Sequence, residues 1–262
     1  MKTRKNNIKT KTSKTTRKQK QHIHTIPIVV ICYNQLSYIK NMVKQLEKYN
    51  NPIILIDNHS TYKPLFEYYK EIKGKLKDKI EIRLLNKNYG CTVYEKLKNT
   101  LPQIYVLSDP DIELNKNMPD NFAEIMMDIS EKYKVYRVHA FIEKVPKKDI
   151  IPCPGYNFNW GKKEHKIRDS QYELFYDYTI GGATTFSLIN TKYRNNPGKI
   201  SSINIAGDFS IKHLPWYKDT INKIPRNELY EYVKGAKWST VIGQCIRPKL
   251  KSLHDIYKFE FK

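Results

Sequence analysis

Four short apolar runs constrain this chain more than any other feature. Each ends in polar residues, and each is parted from the next by a helical pattern. The first is Ile28-Val29-Val30-Ile31-Cys32, running into Tyr33-Asn34. The second, Ile53-Ile54-Leu55-Ile56, ends in Asp57-Asn58-His59-Ser60-Thr61. The third, Ile80-Glu81-Ile82-Arg83-Leu84-Leu85, ends in Asn86-Lys87-Asn88-Tyr89-Gly90. The fourth, Ile104-Tyr105-Val106-Leu107, runs into Ser108-Asp109-Pro110-Asp111. Continuous runs rich in β-branched residues read as strands buried on both faces, and the alternating third run reads as lying nearer an edge. Between the first two, Leu36, Ile39, Met42, Val43 and Leu46 recur at helical spacing, to about Tyr49. A second helix is expected after Pro64, a short one over about Thr92 to Asn99, and another on Phe122, Ile125, Met126, Ile129 and Tyr133. Val135 to Phe141 reads as a further strand. This alternation predicts an α/β fold: a mostly parallel, doubly wound sheet with right-handed crossovers. The polar strand ends then share one edge, the carboxyl edge where such sheets bind ligands.

The fourth run ends in two acids. Pro110 fixes its own φ and has no N–H, so the strand must stop there. In an extended backbone, residues two apart point to the same face. Asp109 and Asp111 are therefore placed to share one divalent cation. Mg²⁺ and Mn²⁺ favour such oxygen ligands together with substrate phosphates. The alternative is that Asp109-Pro110 is a simple turn starter.

Taken in order, Ile28–Asn34, Ile54–Thr61, Asn88-Tyr89-Gly90 and Ser108–Asp111 resemble the nucleotide-sugar half of the GT-A glycosyltransferases, most closely family-2-like members. The likeness is clear over about 26–115 and looser to about 240. It implies a metal-dependent glycosyltransferase that moves a sugar from a nucleotide-diphosphate sugar, UDP-linked above all, to an acceptor hydroxyl. By resemblance, Asp57 meets the base, Asp109 touches ribose or metal, and Asp111 ligates Mn²⁺ or Mg²⁺. Tyr33, Asn34, Asn88, Gly90 and Ser108 lie in the matching stretches and are implied around the donor.

Beyond residue 142 the pattern turns irregular. A boundary near 141 divides a nucleotide-sugar half (25–141) from an acceptor-side half (142–262) of one domain. The aromatic loop Ile151–Gly161, with Trp160, suits a sugar or base, or is simply a packed cluster. Gly181-Gly182-Ala183-Thr184-Thr185-Phe186 resembles the segment beneath the donor sugar, which implies Thr184 and Thr185 there. It holds no acid; the nearest is Asp177. In Lys212-His213-Leu214-Pro215-Trp216 the resemblance implies His213 as third metal ligand, Lys212 on the phosphates and Trp216 near the acceptor. A His ligand would favour Mn²⁺. If transfer inverts configuration, a carboxylate must take the acceptor's proton; Asp208 and Asp177 are the candidates. Asn227 to Lys237 reads as a closing helix.

Charge opens other classes. The 262 residues carry a net charge of +21. Nine cations and no acid fall in residues 1–20, and residues 1–24 read as a disordered basic tail. It could associate peripherally with a surface. A nucleic-acid-binding protein fits the charge, but no recognised binding motif supports it. A nucleotidyltransferase would normally show a glycine-rich loop after the first strand, and Cys32-Tyr33-Asn34-Gln35-Leu36 has no glycine. Cys32, Cys91, Cys153 and Cys245 form no metal-ligand spacing and suggest no disulfide framework, so a reducing compartment is expected. No apolar run approaches the roughly 18 residues of a membrane span. A soluble, cytoplasmic protein is the resulting expectation, with a glycan, protein or small molecule as acceptor.

Overall fold

The computed structural model describes residues 25–90, 93–156, 158, 163, 165–177, 185–195, 200, 202–236 and 240–262. The basic tail, Thr184 and Trp160 lie outside them.

The N-terminal half follows the expected alternation: β1 (Ile28–Cys32), α1 (Leu36–Leu46), β2 (Ile53–Asp57), α2 (Lys63–Leu76), β3 (Ile80–Leu84), α3 (Val93–Leu97), β4 (Ile104–Ser108), β5 (Ile112–Leu114), α4 (Phe122–Tyr133) and β6 (Arg137–Ala140). Pro64 sits in the first turn of α2, where a missing N–H costs nothing. Lys134, left-handed at φ 53°, ends α4. The other half is built of shorter pieces: β7 (Lys166–Ile167), β8 (Leu174–Asp177), β9 (Ser187–Asn190), β10 (Ser202–Ile205), β11 (Ile211–His213), α5 (Lys218–Asn222), α6 (Arg226–Gly235) and α7 (Val241–Cys245).

Among the described residues, one nine-stranded sheet runs β3-β2-β1-β4-β9-β6-β10-β8-β7. The pairs β2–β3, β1–β2, β1–β4 and β6–β10 are parallel. β9 enters antiparallel between β4 and β6, and β8 is antiparallel to β10 and β7. Only β9 and β8 run against the other seven strands, so the sheet is mostly parallel in direction, with β3 at one edge as its alternation foretold. Alternate residues of the inner strands feed opposite faces. Ile28, Val30, Ile53 and Leu55 join the main core with α1, α2 and α4. Val29, Ile54, Ile56, Tyr105 and Leu107 form a smaller core on the other face, with Val93 and Leu97 of α3. Burial on both faces explains why these runs carry no polar alternation.

The cysteine reading needs correcting. Cys153 and Cys245 form a disulfide across 92 residues, with Cα atoms 5.2 Å apart. Their spacing gave no sign of it because only the fold brings the 151–156 loop to α7. The case for a reducing compartment from cysteine usage falls with it. Cys32 is a free, buried thiol. The helix expected over Asn227–Lys237 forms as α6, but it does not close the chain, since α7 and two 3₁₀ turns follow it; Lys237 lies outside the described residues. Among the described residues, no helix is long and apolar enough to cross a membrane.

Candidate metal and donor site

The two acids stand where β4 ends. β4 runs into Asp109-Pro110-Asp111, and the chain restarts at once as β5. This three-residue strand pairs antiparallel with β11, in the register Ile112↔His213, Lys212↔Glu113 and Ile211↔Leu114. The register sets His213 beside Asp111, and Leu214 N–H donates to the Asp111 carbonyl at 2.9 Å. The late histidine thus reaches the DxD acids through a strand pair too short to stand out in the sequence.

Ligand atoms of Asp109, Asp111 and His213 lie within 4.8 Å of one another. His213 Nε2 is 3.6 Å from Asp111 Oδ1. Asp111 is only 6% exposed. Gln35 Nε2 donates to its Oδ2 at 3.2 Å, while buried Oδ1 accepts no hydrogen bond from the described residues. Burial pushes the Asp111 carboxyl up to about 6, with the Gln35 bond opposing. Burial holds the His213 imidazole down at about 4, against the pull of Asp109. A neutral imidazole, two carboxylates and one buried oxygen with no donor among the described residues suit a divalent cation. Thr185 Oγ1 donates to Asp109 Oδ2 at 3.2 Å, which puts Thr185 beside this cluster; the Gly181–Thr184 stretch before it lies outside the described residues. Trp216 is buried, its ring 4.6 Å from that of His213, and Phe158 meets it edge-on at 5.7 Å.

The neighbouring strand ends are tightly bonded. Asn34 takes a left-handed backbone (φ 49°), which asparagine tolerates better than most residues. Its Oδ1 accepts from Thr61 N and Tyr62 N at 2.7 and 3.0 Å, and its own N–H donates to Ser60 Oγ at 2.9 Å. Asp57 is 1% exposed. Ser60 N–H donates to its Oδ1 at 2.7 Å, and Tyr69 Oη to its Oδ2 at 2.8 Å. Asn58 bridges to the third strand end, donating to Asn88 Oδ1 and the Gly90 carbonyl and accepting from Tyr89 N–H. Gly90 has φ 66°, the left-handed region that glycine enters freely. Ser108 is buried and donates to the Asp109 carbonyl.

Two of the expected residues stand apart from the cluster. Lys212 points away from His213, as alternation requires, and pairs with Glu113 at 2.7 Å. Asp208 is exposed on the 3₁₀ turn Gly207–Phe209 ahead of β11. The backbone of Asp177 ends β8. Sequence reasoning missed Gln35, Tyr69 and Glu231. The last accepts from Thr61 Oγ1 at 2.9 Å. None has a local signal, because each acts through a partner in another element of the fold.

No family model matches the sequence, and no curated protein sequence matches it. Solved structures do. The crystal structure of GalNAc-T7 with UDP, GalNAc and Mn²⁺ superposes with a TM-score of 0.52 at 13% identity, over 90% of this chain and 55% of that one. The chain has the GT-A fold. It spans about half the length of the GalNAc-T7 chain. Two further structures overlap less closely. The mannosyltransferase PcManGT from Pyrobaculum calidifontis, in complex with GDP-Man and Mn²⁺, gives a TM-score of 0.46 at 9% identity, over 87% of this chain and 69% of that one. TarS of S. aureus gives 0.43 at 13% identity, over 81% and 40%.

Proposed function

We propose that the protein is a metal-dependent glycosyltransferase that uses a nucleotide-diphosphate sugar, UDP-linked above all, and an acceptor hydroxyl. One observation carries this reading: Asp109, Asp111 and His213 converge at the end of β4, at the carboxyl edge of a GT-A sheet. The same three residues would hold the cation, Mn²⁺ in preference to Mg²⁺ because one ligand is imidazole. When bound, the cation supplies Lewis-acid stabilisation of the charge developing on the diphosphate.

The chain's own residues do the rest. Gln35 fixes the Asp111 carboxylate through Oδ2, leaving Oδ1 for the cation. Trp216 packs on the imidazole and limits its rotation. Thr185 orients Asp109 from the segment expected beneath the donor sugar. The strand ends with Tyr33, Asn34, Asn88, Gly90 and Ser108 shape the nucleoside side. Asp57 braces that side from within, through Ser60 and Tyr69. If transfer inverts configuration, Asp208 or Asp177 takes the acceptor proton, with Trp160 on the acceptor side.

The test is nucleotide release from a panel of nucleotide sugars, with Mn²⁺, Mg²⁺ or chelator, beside thermal melts under the same conditions. The reading expects one donor to raise the melting temperature only when Mn²⁺ is present. Stabilisation by no donor would sink it.

A further inference from the structure

The donor edge has a wall that no strand end supplies. α6 comes from the last third of the chain, yet it lies across the ends of β1 and β2. Glu228 accepts from Ser37 N–H and Ser37 Oγ at 2.8 and 2.7 Å. Asn34 Nδ2 donates to the Glu231 carbonyl at 3.1 Å, and Thr61 Oγ1 to Glu231 Oε2 at 2.9 Å. Tyr33 leans on the last turn. A Cβ added at Gly235 would stand 1.6 Å from Tyr33 Oη and 2.7 Å from its Cζ. The helix therefore lacks a side chain at the position where the phenol rests. The Tyr33 ring also meets Tyr232 edge-on at 6.3 Å, and the Asn88 side chain bonds its hydroxyl. Glu231 and Gly235, four apart, share one helix face.

The acids at this edge differ in access. Asp57 is sealed, with both oxygens engaged, and Glu228 is buried against Ser37. Glu231 is partly exposed beside Tyr33, Asn34 and Thr61.

We infer that α6 is the third wall of the nucleoside pocket, with Glu231 as the acid that accepts hydrogen bonds from the ribose hydroxyls or base N–H of a nucleoside diphosphate, and Gly235 as the positioning residue that seats Tyr33. This rests on the donor reading above. A carboxylate accepts from such donors more strongly than a neutral group does. Tyr33 offers the aromatic face that a base packs on.

The test is calorimetric titration of the full chain, with Mn²⁺ present, against UDP and 2′-deoxy-UDP. Glu231→Ala should weaken UDP at least tenfold and leave Mn²⁺ binding without nucleotide unchanged. A loss seen with UDP and absent with 2′-deoxy-UDP assigns the contact to the ribose 2′-hydroxyl; an equal loss with both assigns it elsewhere on the nucleoside. Either supports the inference. Gly235→Ala should also weaken UDP, but cost nothing further in a Tyr33→Ala background, since the two act through one contact. If Glu231→Ala binds UDP as wild type does, the inference fails while the donor reading stands. Wild-type protein that binds Mn²⁺ but no nucleoside diphosphate of the donor panel overturns both.

Discussion

Residues 25–141 and residues 142–262 meet at one candidate site, where Asp109, Asp111 and His213 converge, but are held together differently. The first part is built on the parallel strands β3, β2, β1 and β4, the inner ones buried on both faces, and most of its candidate site residues stand at strand ends. The second is made of strands of two to four residues, 3₁₀ turns and short helices, cross-linked by the Cys153–Cys245 disulfide. A parallel ladder fixes its edge by continuous burial. The second part fixes single residues one contact at a time: His213 by the β5–β11 pair, Glu231 by Asn34 and Thr61, and the 151–156 loop by a covalent bond. The candidate site therefore rests on two kinds of support.

The largest expected effect falls where the two parts meet. Asp111→Asn should slow metal-dependent nucleotide release about 10²–10³-fold, the equivalent of roughly 3–4 kcal/mol of transition-state stabilisation. Far-UV circular dichroism should not change, because the amide is nearly isosteric. An effect of that size from the first part alone, with His213→Ala leaving turnover untouched, would mean that the second part supplies no ligand.

Next is the disulfide. Replacing Cys153 and Cys245 by Ser should cost about 2–4 kcal/mol of stability, since the bond closes a long loop. The loss is read from denaturant melts. Circular dichroism and protease mapping should locate the earliest loosening in the second part. Equal loosening of both parts would erase the contrast.

Asp57→Ala tests the first part. It strands the Tyr69 hydroxyl and the Ser60 N–H in a buried setting, at about 1–3 kcal/mol. The measurement is a urea melt beside UDP titration. A stable protein that has lost UDP would show Asp57 facing the base instead of bracing the fold.

A smaller effect comes from pH. The Asp111 carboxyl is raised from about 4 to about 6 in the folded protein. The unfolded chain therefore loses this proton first as pH rises. Folding pays for the buried charge fully above pH about 6, and not at all below about 4. Without metal, Asp111→Asn should melt higher than wild type at pH 8, by on the order of 2 kcal/mol. The gap should close as pH falls from 6 towards 4. A gap that widens on acidification would reverse the sign. Smallest of all, deleting residues 1–24 should leave the melting temperature within a degree or two of wild type, because so polar a segment has little apolar surface to bury.

The contrast also explains what the sequence revealed. The strands β1 to β4, the edge position of β3 and the two acids after β4 were legible, because continuous burial and strand-end chemistry are local signals. His213 was legible only through the Pro215-Trp216 that follows it. The β5–β11 pairing that delivers it was not, since three-residue strands leave too little pattern. Tyr69 turning Asp57 inward, Glu231 reaching Thr61, and the joining of Cys153 to Cys245 are tertiary events between distant residues. Local periodicity carries no trace of them. Lys212 shows the limit from the other side: its position beside His213 suggested phosphate, yet strand alternation turns it to Glu113.

The central claim is that Asp109, Asp111 and His213 form one cation site assembled from both parts of the chain. Electron paramagnetic resonance of Mn²⁺ titrated into the protein tests it most directly. One bound ion per chain is expected, with a nitrogen coupling that vanishes in His213→Ala and binding that collapses in Asp111→Asn. Mn²⁺ that stays free in solution, or binds identically to wild type and both variants, would contradict the account.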